Sequence, residues 1–146
     1  VNPELVGRVF PATPPYLVGR EKVREFARAV FATDAQHTDP AAAQALGYPD
    51  VVAPPTFAMV VQDLTLQQLL AEPDSGIVLQ NVLHAEQRFA YSRPIVAGDE
   101  LSAQLQVTGI RTLGGNAMVT SDAVITDAAG EHVVTATSVL LVGEGS

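Results

Sequence analysis

Asp34 and His37 lie three residues apart in the run Asp34-Ala35-Gln36-His37-Thr38-Asp39-Pro40, and Ala53-Pro54-Pro55-Thr56-Phe57 follows downstream. A carboxylate and an imidazole on one loop can carry a proton to and from a reacting group. A helix that begins at the two prolines presents N–H groups at its N-terminus to an oxygen that gains charge. Together these residue types suit proton transfer beside an activated carbonyl. Each also has a plainer reading. Asp34 fits a turn or helix cap, and Asp39 fits the N-cap of a helix opened by Pro40. His37 fits a partly buried structural histidine. His84 and His132 read as packing or surface residues. With no cysteine and no helical His pair, no metal site is expected.

The elements that must position these residues follow from periodicity. Val23, Phe26, Ala27 and Val30 repeat at helical spacing, which predicts a half-buried helix over 20–31. Pro40 opens a short alanine-rich helix over 41–46, which Gly47 stops. Residues 55–71 predict the main helix, with Phe57, Val60, Val61 and Leu64 as its stripe and Leu69 and Leu70 extending the apolar surface. Asp63 is the only charge before Glu72, so this helix is expected to be wrapped by a sheet, with Pro73 ending it.

Beyond the helix the period changes to two. Leu101, Ala103, Leu105 and Val107 alternate with Ser102, Gln104, Gln106 and Thr108, as in a half-buried strand. Turn signals at Gly114-Gly115-Asn116 and Asp127-Ala128-Ala129-Gly130 set off two more strands over 117–126 and 132–142. Another extended stretch covers 77–92, broken from the next strand by Pro94 and Gly98-Asp99. With Tyr16-Leu17-Val18 as a short first strand, the expectation is an α+β domain over 1–146 in which one antiparallel sheet curls around one long helix. Such a layer leaves apolar surface over, so a dimer is expected.

Composition narrows the function. Apolar residues make up 47% of the chain and charged residues 16%, which excludes a disordered chain. The net charge of -8 argues against a nucleic-acid partner, which requires a basic stripe. The absence of cysteine removes thiolate nucleophiles and disulfides. Neither a leader-like opening nor an apolar run approaching the ~20 residues of a membrane span is legible. A cytoplasmic protein without a membrane partner is expected.

Four separated stretches carry a resemblance. They are Val18-Gly19-Arg20-Glu21-Lys22-Val23-Arg24-Glu25-Phe26-Ala27, the region from Ala45-Leu46-Gly47-Tyr48 to Ala53-Pro54-Pro55-Thr56-Phe57, Glu86-Gln87-Arg88-Phe89, and Arg93-Pro94-Ile95-Val96-Ala97-Gly98-Asp99. In this order, across nearly the whole chain, they resemble the MaoC-type hotdog hydratase/dehydratase family. The similarity is strongest to its FAS1-like dehydratase N-terminal group, which includes subunits of (3R)-hydroxyacyl-ACP dehydratases. The resemblance implies a hotdog fold, a homodimer or a heterodimer with another hotdog subunit, no cofactor or metal, and an acyl thioester on coenzyme A or acyl carrier protein. It implies reversible syn addition of water across a 2-enoyl/(3R)-3-hydroxyacyl thioester in fatty-acid metabolism.

The resemblance places His37 at the family's catalytic histidine. It puts the family's aspartate five residues earlier, where this chain has Ala32, so Asp34 stands in for it only on a differently shaped loop. The family's His-Gly at the start of the long helix is replaced by Pro54-Pro55. Proline has no N–H, so Thr56 and Phe57 are the nearest donors. The expected site is therefore His37 and Asp34 for catalysis, with Pro55, Thr56 and Phe57 at the substrate. Two further readings stand beside it: a non-catalytic acyl-binding subunit that needs a catalytic hotdog partner, and a hotdog acyl-thioesterase.

Overall fold

The computed structural model describes residues 1–144. The N-terminal half holds β1 (Tyr16–Leu17), α1 (Arg20–Ala29), α2 (Pro40–Ala45) and α3 (Ala58–Ala71). The second half is β2 (Val82–Tyr91), β3 (Glu100–Leu113), β4 (Asn116–Thr126) and β5 (His132–Gly143). All pairings are antiparallel, in the order β1-β3-β4-β5-β2. Among the described residues no helix is long and apolar enough to cross a membrane.

The period-two pattern becomes the packed face of the sheet. Leu101, Ala103, Leu105 and Val107 of β3 are at most 1% exposed and face inward. Their partners across β4 and β5 continue the rows: Ala103 meets Ile125, which meets Val134, and Leu105 meets Ala123, which meets Ala136. α3 lies across this face.

The stripe expected on α3 needs a correction. Phe57 and Val61 are wholly buried, but Val60 and Leu64 are only half-buried. The helix turns Ala58, Val61, Gln62, Thr65, Leu66 and Leu69 toward the sheet. These positions follow the i, i+3, i+4, i+7 spacing of one face. The inner face thus mixes small, polar and apolar residues, and Val60 and Leu64 stand on its flanks. Phe57 anchors the start of the helix, its ring edge-on to Phe26 with centroids 5.3 Å apart. Truncating so buried an aromatic costs about 3–5 kcal/mol.

The first helix ends two residues earlier than its pattern suggests. Phe31 adopts φ 59 with its side chain 87% exposed. A bulky residue in the left-handed region is rare, and it turns the chain out of α1. The Ala32 N–H then closes back onto the Ala27 carbonyl at 2.9 Å. A 3-10 turn (Leu79–Asn81) likewise occupies the start of the expected 77–92 strand.

Candidate functional site

The loop after α1 is held at both ends. Arg24 Nε donates to the Thr38 carbonyl at 2.8 Å. The Val52 N–H donates to the Gln36 carbonyl at 2.9 Å. Asp39 caps α2 by accepting from the Ala41 N–H at 3.0 Å, as its place before Pro40 suggests. Between these ties His37 is half-buried, and its Nδ1–H donates to the Val52 carbonyl at 2.6 Å. A carbonyl oxygen only accepts, so this bond sets the tautomer. Nε2 is left with a lone pair, on a ring that lines a cleft of about 420 Å³.

The cleft opens between the Val52–Pro55 segment and the end of β2. Val52, Ala53 and Pro55 form one wall, and Tyr91, Ser92 and Arg93 the other. The Tyr91 hydroxyl donates to the Pro55 carbonyl, in the first turn of the helical segment. Burial pushes its phenol up to about 12, with the Ala58 backbone pulling the other way. Arg93 is spent on carboxylates. It grips Asp99 at 2.8 and 3.1 Å and reaches Asp127 at 3.2 Å. Asp99 also accepts from the Val96 N–H at 2.9 Å, so the turn between β2 and β3 is locked around one guanidinium.

The donors at the helix start can now be told apart. The Phe57 N–H is used internally, donating to the Pro54 carbonyl at 2.9 Å. No hydrogen bond engages the Thr56 N–H among the described residues. One half-buried imidazole with an open Nε2 therefore shares an apolar cleft with the start of a helix that has one open N–H.

The family described as FAS1-like, dehydratase domain region, matches residues 4–136. The chain belongs to this family. Over 142 residues it is 64% identical to a UPF0336 protein of Clavibacter michiganensis, covering 97% of this chain and 95% of that one. Its fold matches the C-terminally truncated HadBC complex, a (3R)-hydroxyacyl-ACP dehydratase of Mycobacterium tuberculosis. That match has a TM-score of 0.85 at 32% identity and covers 94% of this chain and 96% of the other. A solved MaoC-like dehydratase matches with a TM-score of 0.84 at 41% identity, over 94% of this chain and 42% of that one. The chain is thus a MaoC-like hotdog dehydratase family member, and the curled sheet around α3 is the hotdog fold.

The remaining site residues of this FAS1-like dehydratase domain are not all brought together. Pro55 lines the cleft beside His37. Thr56, next in the chain, is exposed and is not among the residues that line the cleft. Phe57 is buried in the core, with its ring on Phe26 and its N–H spent. Asp34 is exposed and stands at the N-cap of the Ala35–His37 turn, with no side-chain capping bond. It does not line the cleft.

Besides His37 and Pro55, the cleft is lined by Val52, Ala53, Tyr91, Ser92, Arg93 and Pro94, none of which the expected site included. The one signal was the placement of Tyr91 at the end of an extended run, just before the Arg93-Pro94 turn. Ser92 Oγ hydrogen-bonds to His132 Nδ1, and His132 Nε2 lies 2.7 Å from Thr135 Oγ1. His132 is therefore engaged at the strand start, as a surface residue.

Proposed function

We propose that this chain is a subunit of a (3R)-hydroxyacyl-thioester dehydratase, running equally as a 2-enoyl-thioester hydratase, with His37 as its proton carrier. The observation that carries the reading is the Nδ1–H bond from His37 to Val52, which leaves Nε2 available in an apolar cleft at the start of α3. In the hydration direction His37 Nε2 takes a proton from water, and the oxygen adds to Cβ of the enoyl thioester. A proton is then delivered to Cα, and the thioester carbonyl leans on the Thr56 N–H as its oxygen gains charge. Pro55 borders the acyl group. Asp34 shares in this only if the 32–36 loop turns its carboxylate toward the cleft.

A second reading is favoured by two observations. Asp34 stands outside the cleft, and the helix start carries proline where an N–H donor is expected. Both suit an acyl-binding and stabilising subunit whose catalytic carboxylate comes from a hotdog partner. The edge strand supports partnering in either case. β2 is ten residues long, has one open edge, and carries Leu83 at 67% exposure without proline or lysine to blunt it. The partner is a second copy or another hotdog subunit.

Hydration of a trans-2-enoyl-CoA by the purified chain, followed as loss of enoyl absorbance, tests the proposal. Turnover supports a self-sufficient enzyme. Its absence in a folded dimer supports the partner-dependent reading.

A further inference from the structure

Ser92 lines the same cleft as His37 and opens a chain of polar side chains that the chemistry assigned to His37 does not use. Its Oγ is hydrogen-bonded to His132 Nδ1, and His132 Nε2 lies 2.7 Å from Thr135 Oγ1. The chain forms where β2 ends beside the start of β5, with Tyr91 paired to Val134. The Ser92 N–H donates to the Val133 carbonyl at 2.8 Å, so the backbone also fastens Ser92 next to His132. His132 is exposed, and its ring can exchange protons with water.

Hydration of an enoyl thioester needs two proton movements, one away from water and one onto Cα. His37 serves the first. The other protic side chains lining the cleft are Tyr91, Ser92 and Arg93. The Tyr91 hydroxyl donates to the Pro55 carbonyl, and burial pushes its phenol up to about 12. No titratable side chain is bonded to it, among the described residues, to replace a proton it gave. Arg93 is gripped by Asp99 and reached by Asp127, and these carboxylates hold its guanidinium charged. Asp34 lies off the cleft, and Ala32 stands where the resemblance puts a carboxylate. Ser92 remains, and it is backed by an imidazole, the side chain best suited to pass protons.

We infer that Ser92, backed by His132, is the second proton carrier of this cleft and delivers the proton to Cα of the enoyl thioester. This rests on the dehydratase reading above. When His132 holds both ring protons, Nδ1–H donates to the Ser92 oxygen and Nε2–H to the Thr135 oxygen. The Ser92 hydroxyl is then free to aim its own proton into the cleft. The oxygen of water bonds to Cβ as His37 Nε2 takes a proton from it. The π pair of the Cα–Cβ bond takes the Ser92 proton at Cα, and the His132 Nδ1 proton moves to Ser92 Oγ in its place. A serine hydroxyl by itself is a weak acid, and this refilling in the same step lets it pass the proton on. His37 then returns its proton to solvent and His132 takes one back, so the sum is addition of water alone. Dehydration runs the same steps in reverse.

The test is the kinetics of trans-2-butenoyl-CoA hydration by the full chain and by its Ser92→Ala, Ser92→Thr and His132→Ala variants, each confirmed folded. Ser92→Ala should lower kcat by about 10²-fold and leave KM unchanged. Ser92→Thr keeps the hydroxyl and should recover most of that loss. His132→Ala should fall by a similar factor and regain turnover when free imidazole is added, which a merely structural role would not show. Full activity in Ser92→Ala, with turnover lost in His37→Asn, overturns the inference alone and leaves the dehydratase reading standing. A loss in His132→Ala that imidazole does not restore overturns the relay through His132. No turnover by the folded wild-type chain means that it does not hold both proton carriers, and overturns its reading as a self-sufficient enzyme and the inference with it.

Discussion

His37 Nδ1 lies 2.6 Å from the Val52 carbonyl oxygen, while the Val52 N–H is bonded to Gln36, the neighbour of His37. One residue of the segment leading into α3 thus holds the histidine loop through both its backbone groups. This clamp ties the imidazole to the helix start across fifteen residues of sequence. It also explains how a loop can present a side chain with a defined tautomer.

The clamp can be separated from the chemistry. His37→Ala loses the donor to Val52 and should destabilise the chain by about 1 kcal/mol. His37→Asn keeps a side-chain N–H near the Nδ1 position and should recover part of that loss. Urea unfolding of the two variants checks this. Equal stability of both variants and wild type would show that the bond contributes nothing.

Tyr91→Phe removes the hydroxyl that holds the Pro55 carbonyl. A loss of about 1 kcal/mol in unfolding free energy is expected. The chain has three tyrosines, and Tyr91 should be the one that ionises late, since burial raises its phenol to about 12. The sign follows from linkage. The folded state keeps this proton longer than the unfolded state, so the contribution is intact below about pH 10 and is lost as pH rises toward 12. Absorbance titration of tyrosinate in wild type and Tyr91→Phe should show the late step disappear with the variant.

Arg93→Gln should loosen the turn between β2 and β3 and lower the melting temperature by a few degrees. The Asp127 carboxyl is held below the ordinary carboxylate range by the Glu131 N–H first and then by Arg93. Its stabilisation is present at neutral pH and is lost as pH falls through the folded value. The gap between wild type and variant should therefore narrow below about pH 4. Melting curves from neutral to acid pH check the trend, and a constant gap would remove the ion pair as its cause.

Gln62→Met replaces a buried amide that has no hydrogen-bond partner among the described residues with an apolar side chain of similar length. The expected effect is a gain of about 1 kcal/mol in unfolding free energy. A marked loss would mean that the amide is bonded in solution.

The sheet was legible because burial on one face imposes a period of two, and β3 follows it from Leu101 to Val107. The inner face of α3 was not. Val60 and Leu64 are as apolar as the residues that face the sheet, so hydrophobicity around that helix has no clear direction, and Gln62 and Thr65 gave no sign of lying innermost. At the candidate site, the spacing of His37 to the helix start singled out a residue whose ring lines the cleft. Phe57 was misplaced toward the substrate because a residue beside a site in sequence can point into the core. Tyr91 could not be foreseen, since its bond to Pro55 spans thirty-six residues and depends on how β2 ends against the helix.

The most direct test compares the hydration rate of trans-2-octenoyl-CoA by wild type and by His37→Asn, each confirmed folded. Proton transfer by a positioned side chain contributes about 10²–10⁴-fold, so the account predicts measurable turnover in wild type and a loss of that order in the variant. Turnover unchanged by His37→Asn would contradict His37 as the proton carrier.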